Sequence, residues 1–269
     1  MRSELGTLCA LLRTAAIEEI MPRFRGISSR HKEDGSLVTE ADLAAQRLII
    51  DLLSERYPDV PVLGEEMTAD EQQRLMADVG GGVWCLDPLD GTSNYACGFP
   101  VFTISLSLLQ DGQVQRGAIL DPVRDECFCA ERRGGAYLNG ERLKLAAEHR
   151  SMADSLALVD LKRLRSGDLH RFGDSAPYRS QRSLGSVALE WCWLAAGRAQ
   201  LYLHGGQRLW DYGAGRLIAA EAGVLSCLYR QGGGAAPEGL SLEPRTAVAA
   251  ADRDLMNQWL DWLDLARSE

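Results

Sequence analysis

Near residue 150 the apolar pattern of this 269-residue chain changes character, and that change constrains the fold more than any other feature. Before it, helical spacing is followed by strict alternation. Leu5, Leu8, Leu11, Leu12, Ala15, Ala16 and Ile20 mark an amphipathic helix ending near Pro22. After a polar loop over 25–37, a second helix begins at Thr39 and runs to the Tyr57-Pro58 stop. Two helices thus precede any sheet in this reading. Val60–Leu63 and Val83–Leu86 read as short buried strands, and Val101–Leu109, Val114–Leu120 and Glu126–Ala130 as an antiparallel meander. Beyond the polar stretch 148–153, strands at 155–159, 199–203, 224–228 and 246–251 alternate with helices at 186–196 and 211–222, and Asp252 caps a last helix. Gly232-Gly233-Gly234 reads as a loop. The expected plan is an α+β part over 1–150 and an α/β part over 151–269, packed as one unit.

Composition excludes several functions. With 46% hydrophobic residues, no apolar window approaches the roughly 18–20 residues of a membrane span. The net charge of −9 leaves no basic run that would hold a nucleic-acid backbone, and an anionic ligand would need a bound cation to reverse the local field. Residues 1–13 show helical spacing and no apolar signal core, so no export signal is expected. The seven scattered cysteines include no C-x-x-C pair; free thiols in a reducing cytoplasm are the expectation.

The chemistry concentrates where buried strands end. Trp84-Cys85-Leu86-Asp87-Pro88-Leu89-Asp90-Gly91-Thr92-Ser93-Asn94 sets two carboxylates three residues apart, with Pro88 fixing one backbone angle and Gly91 permitting a close turn. The Leu89 carbonyl can then be exposed and the Gly91 and Thr92 amides can face a ligand. Glu65 and Glu66 follow the preceding strand, and Trp210-Asp211 opens a helix far downstream. Each acid also has an ordinary reading: Asp211 and Asp42 as helix-capping acids, Glu65-Glu66 as a solvated loop. If Glu65, Asp87, Asp90 and Asp211 meet, each like-charged pair at 4 Å costs about 4 kcal/mol at an effective dielectric of 20, which divalent ions would offset.

Three familiar phosphate-handling patterns are not met. Cys127 and Arg133 have the C-x5-R separation of cysteine phosphatases but lie in the meander. The acids Asp87 and Asp90 stand one residue too far apart for an aspartyl-nucleophile D-x-D-G-T motif, and no G-K-[ST] loop occurs.

Four segments together resemble the inositol monophosphatase family, the Mg²⁺-dependent, lithium-sensitive phosphomonoesterases. They are Lys32 through Val38-Thr39 to Asp42, Gly64-Glu65-Glu66, Trp84 to Asn94, and Trp210-Asp211 with Gly213-Ala214-Gly215; Arg182 to Ser186 resembles a fifth. The resemblance implies a layered αβαβα sandwich of the inositol monophosphatase/fructose-1,6-bisphosphatase type. It implies two to three Mg²⁺: one on Glu65, Asp87 and the Leu89 carbonyl, one on Asp87, Asp90 and Asp211, and a third leaning on Glu65. Asp42 and Thr92, with Glu65, would activate water. Glu66 would support the ligands from behind, and Gly91, Thr92, Gly185, Ser186, His204 and Asp211 would face the substrate. His204 stands where inositol phosphatases often carry an acid, a departure that bears on the substrate. Arg179, Arg182 and Arg208 are surface charges or contacts for a second anionic group. Inositol 1-phosphate leads the substrates, with 3′-phosphoadenosine 5′-phosphate, fructose 1,6-bisphosphate and histidinol phosphate as alternatives, and a non-catalytic interaction protein as the other class. The resemblance also implies a homodimer.

Overall fold

The structure, a computed structural model, describes residues 4–24, 29–31, 37–77, 79–145, 151–164, 166–231, 234 and 239–266. Lys32, His149, the stretch 148–150 and Gly232-Gly233 lie outside the described residues.

Two sheets organise the chain. The first has seven strands in sequential order: β3 (Val62–Gly64), β4 (Val83–Asp90), β5 (Thr103–Gln110), β6 (Gln113–Asp121), β7 (Glu126–Glu131), β8 (Gly135–Leu138) and β9 (Glu141–Leu143). Only β3 and β4 run parallel; the others form the antiparallel meander. A separate antiparallel pair, β1 (Ser29–His31) and β2 (Leu37–Thr39), precedes it. The second sheet has the order β11-β10-β12-β14-β13, built from β10 (Leu156–Asp160), β11 (Ser180–Arg182), β12 (Leu201–Gln207), β13 (Leu225–Arg230) and β14 (Arg245–Ala250). In it β10 is parallel to both neighbours, and β14 is antiparallel to both of its own.

Strand period assigns the layers. Trp84 and Leu86 point to one face of β4, where Leu8, Leu12, Ile49 and Leu53 of α1 (Glu4–Ala15) and α2 (Glu40–Arg56) cover them. Val83 and Cys85 point the other way, into a core shared with α6 (Val187–Ala195), α7 (Leu209–Ala222) and the inner residues Leu158, Tyr202, Ala247 and Ala249 of the second sheet. Val159, Leu203 and Val248 on that sheet's outer face pack against Leu255, Met256 and Trp259 of α8 (Arg253–Leu263) and Phe172 of α5 (Ser166–Ser175). Three cores separate five layers, αβαβα, as the resemblance implied. Both sheets are covered on both faces, which is why their strands read as apolar runs.

Local departures have local causes. β1 and β2 pair within the stretch expected to be a loop, so a hairpin, and not only two helices, precedes the main sheet. The first helix changes to a π-turn at Ala16–Ile20 and a 3₁₀ turn at Met21–Arg23, where Pro22 removes a donor. β4 continues through Asp90, because the Asp87–Asp90 bulge keeps it paired to β5. The strand expected at 199–203 starts two residues later and extends to Gln207. Two short helices, α3 (Ala69–Ala77) and α4 (Thr92–Ala96), flank the acidic strand ends. Among the described residues no helix is long and apolar enough to cross a membrane.

Candidate active site

β4 delivers Asp87 and Asp90 into the interior, where both carboxylates are almost fully buried. The bulge between them breaks the register, and the Leu89 amide donates to Asp87 Oδ1 at 3.0 Å. Gly91 then turns the chain at φ 91°; a Cβ there would stand 3.0 Å from the Val101 carbonyl and 3.3 Å from that of Gly185. Only glycine meets both demands.

Asp90 is fixed by the far half of the chain. Its Oδ2 accepts from Ser186 Oγ at 2.5 Å, the Ala188 amide at 2.9 Å and Thr103 Oγ1 at 3.2 Å, while among the described residues Oδ1 accepts from the Val187 amide alone, at 3.1 Å. Oδ2 is saturated; Oδ1 keeps a lone pair. Asn94 completes the join by donating to the Val101 carbonyl at 2.8 Å and the Leu184 carbonyl at 2.7 Å.

Asp42 acts on two sides. Its Oδ2 accepts from the Thr39 amide at 2.8 Å and the Thr39 hydroxyl at 2.5 Å, closing a capping box at the start of α2. Its Oδ1 faces Thr92 Oγ1 at 3.1 Å, and that hydroxyl also lies 2.9 Å from the Leu89 carbonyl. The helix-capping role and the site role therefore coexist in one carboxylate. Asp211 repeats the pattern on α7, its Oδ2 accepting from the Arg208 amide at 2.8 Å.

Electrostatics joins these separate segments. Burial pushes the Asp87 carboxyl well up, and the charges of Glu65, Asp90 and Asp211 push it further. Asp211 is raised well above the usual range by burial and then by Glu65 and Asp90. Burial also lifts Asp90, to about 6 against the pull of its hydrogen bonds, and raises Asp42. Four acids from β3's end, β4 and α7 thus act on one volume. Among the described residues, no three acidic, histidine or cysteine side chains are drawn together as a closed metal cage. The donor set nevertheless fits hard divalent ions: all-oxygen ligands, mutually repelling, with free lone pairs on buried carboxylates.

Glu65 and Glu66 are half-buried beside this volume. The Glu65 amide donates to the Leu86 carbonyl at 3.1 Å, and Gln72 of α3 donates to the carbonyls of Gly64 at 2.9 Å and Glu65 at 3.3 Å. Gln46 of α2 accepts from the Glu66 amide at 3.4 Å.

Other expected contacts lie elsewhere. His204 is 2% exposed, with Nε2 3.3 Å from Asp160 Oδ2 and Nδ1 accepting from the Gly206 amide at 3.3 Å. Both ring nitrogens are turned into the fold, so His204 offers no free edge to a ligand. Arg163, exposed and bound to Asp160 at 2.5 Å, occupies that flank, and its charge lowers the pKa of Asp211. Arg208 donates to the Leu242 carbonyl at 3.1 Å and Arg182 to Ser180 Oγ at 2.8 Å.

Sequence reasoning passed over Thr103, Gln72, Arg163 and Glu190. Glu190, 1% exposed on α6, accepts from the Leu184 amide at 2.7 Å and so holds the loop that presents Ser186 to Asp90. Its signal was a lone acid in an apolar helix, a costly placement unless it makes hydrogen bonds.

The model of the inositol monophosphatase family matches residues 2–261. A protein of Mesorhizobium japonicum named inositol-1-monophosphatase is 35% identical over 201 residues, covering 71% of this chain and 72% of its own. One of Xylella fastidiosa named Nus factor SuhB is 34% identical over 208 residues, covering 71% and 69%. The solved inositol monophosphatase of Thermotoga maritima superposes with a TM-score of 0.77 at 26% identity, covering 96% of this chain and 98% of that one.

Proposed function

The chain belongs to the inositol monophosphatase family, and from that premise we propose that it hydrolyses a small phosphate monoester with the help of Mg²⁺, inositol 1-phosphate being the leading substrate. The observation that carries this reading is that Asp87 on β4 and Asp211 on α7 are both held well up by burial and by the charges of Glu65 and Asp90. In the proposal Glu65, Asp87 and the Leu89 carbonyl hold one ion, Asp87, Asp90 and Asp211 a second, and Glu65 supports a third. Bound Mg²⁺ supplies a lowered pKa for water and neutralises charge on the phosphoryl oxygens.

The chain's own groups do the rest. Asp42, raised by burial and linked to Thr92 at 3.1 Å, accepts a proton passed through the Thr92 hydroxyl. Ser186, with the Val187 and Ala188 amides, fixes the orientation of Asp90, whose carboxylate would help hold the ion. No covalent nucleophile is needed. Arg163 flanks Asp211 on the side where His204 is buried, which keeps a substrate with a second anionic group, such as 3′-phosphoadenosine 5′-phosphate or fructose 1,6-bisphosphate, in the same proposal, alongside histidinol phosphate. The proposed setting is a homodimer in the cytoplasm.

A panel of phosphomonoesters assayed with and without Mg²⁺ and Li⁺ tests the reading. The expected result is phosphate release that requires Mg²⁺, falls with Li⁺ and is lost in Asp90→Asn; release that Asp90→Asn leaves unchanged overturns the site. The relative named a Nus factor favours a second reading, a binding role on this scaffold without catalysis. Phosphate release from no member of the panel under any ion would favour it.

A further inference from the structure

On the opposite face of β4's sheet from the acids, α1 lies against β7, and three thiols meet there. Cys127 and Cys129, two residues apart on β7, point to the same face, and the Cys9 thiol of α1 packs with both. Cys127 is fully buried, Cys129 is 5% exposed and Cys9 8%. All three line a cleft of about 690 Å³ whose walls carry Arg13, Arg116, Glu4, Glu131 and Tyr137. Nothing in the phosphatase reading uses this cluster.

We propose that Cys9, Cys127 and Cys129 form a thiol-oxidation site, in which a small hydroperoxide entering the cleft oxidises Cys9 and a β7 thiol then closes a disulfide to it. Placement supports the division of roles. The S–H groups of Cys127 and Cys129 and the charge of Arg13 hold the Cys9 thiol down, to about 4, while the same contacts push Cys127 and Cys129 up. Cys9, one helical turn from Arg13 on α1 and the most exposed of the three thiols, is placed to be the nucleophile, and the β7 thiols carry the protons. Arg13 is held in place by Asp125 and Asn139, each at 2.8 Å. A metal occupant is not favoured, since among the described residues these thiols do not form a metal-holding group.

The step balances with hydrogen peroxide as oxidant. The Cys9 thiolate attacks one peroxide oxygen, the O–O bond breaks, and the departing hydroxide takes back from solvent the proton that Cys9 gave up on ionising and leaves as water. The sulfur, oxidised by two electrons, is now a sulfenic acid. Attack by the Cys127 or Cys129 thiol forms the S–S bond and expels the sulfenic oxygen as a second water, using that thiol's proton.

Peptide mapping tests this on the whole chain. Cys97, the exposed thiol, is replaced by serine to remove a competing target. The protein is treated with one equivalent of hydrogen peroxide, quenched with N-ethylmaleimide and digested with trypsin without reduction. The expected product joins peptide 3–13, which holds Cys9, to peptide 125–132, which holds Cys127 and Cys129. Its mass is the sum of the two less two hydrogens for the disulfide, plus one N-ethylmaleimide on the remaining β7 thiol, and Cys9→Ser abolishes it. Recovery of Cys9 as the maleimide adduct at the untreated level, or a bond confined to Cys127 and Cys129, overturns the proposal. Both outcomes are read from the cysteine-containing parent, so they stand even if Cys9→Ser folds poorly.

Discussion

Thr92 owns one hydroxyl hydrogen and faces two acceptors, Asp42 Oδ1 at 3.1 Å and the Leu89 carbonyl at 2.9 Å. Only one can be served at a time, so in the proposed reaction the hydroxyl would switch between them as a proton passes. Thr92→Val keeps the shape and removes the switch, and kcat is expected to fall by about 10²–10⁴-fold; Thr92→Ser should stay within about tenfold of the parent. Steady-state kinetics on the best substrate of the panel decides, and equal rates for valine and serine would remove Thr92 from the reaction. Glu190 makes a different kind of prediction. Burial pushes its carboxyl up to about 8 from 4.5, with Asp90 and Asp160 adding to the rise. The folded chain then holds this proton more tightly than the unfolded chain. Stability is full below the unfolded value and is lost as pH rises through the folded one. At full ionisation the loss is roughly 5 kcal/mol at most. Glu190→Gln should melt higher than the parent at pH 9 and match it at pH 5, by circular dichroism; a constant difference across pH would mean the side chain is already solvated. Residue identity was legible in the sequence wherever a motif fixed it, as for Asp87, Asp90 and Gly91. It was not legible for Glu190 or Arg163, whose role depends on neighbours distant along the chain.

At the scale of elements, α6 and α7 carry the join between the sheets. Gly215 of α7 faces Trp191 of α6 so closely that a Cβ would stand 2.5 Å from the Trp191 Cβ. Both atoms are anchored to backbone, so the helices themselves must part. Gly215→Ala is expected to cost about 1–3 kcal/mol, and because α6 supplies the donors to Asp90, kcat should fall as well. A thermal melt with an activity assay checks both; an unchanged melting temperature would show that the helices yield without strain. Elements with a strong period were legible: α2, α6, α7 and the meander strands all fall within a few residues of their apolar patterns. Of the short ones, β3 was legible as an apolar run, and several others were not. β8, β9, β11 and the β1–β2 pair have three or four residues each, too few for a period to show. β4's extension to Asp90 depends on a bulge, which is a property of its pairing with β5 and leaves no mark in its own residues.

At the scale of the whole molecule, the layered order was legible only through the resemblance, because apolar runs show that strands are buried and not what buries them. β4 ends under the first turns of α6 and α7, so acids more than 120 residues apart come within electrostatic reach of one another. That arrangement sets repulsion between Asp87, Glu65 and Asp211 against the fold, and an ion between them would turn it into a tie across the central layer. Mg²⁺ at a hundred times its dissociation constant should therefore add about 2.7 kcal/mol. For a chain of this size that is roughly 5–10 °C in melting temperature. Asp87→Asn removes a ligand and also one repelling charge. Without Mg²⁺ it should melt at or above the parent, and on adding Mg²⁺ it should gain little, a reversal of order that simple loss of packing cannot produce. Scanning calorimetry of both chains with and without the ion reads all four values. An equal Mg²⁺ shift in the two chains, or none in the parent, would show that the buried acids answer to something other than a divalent ion.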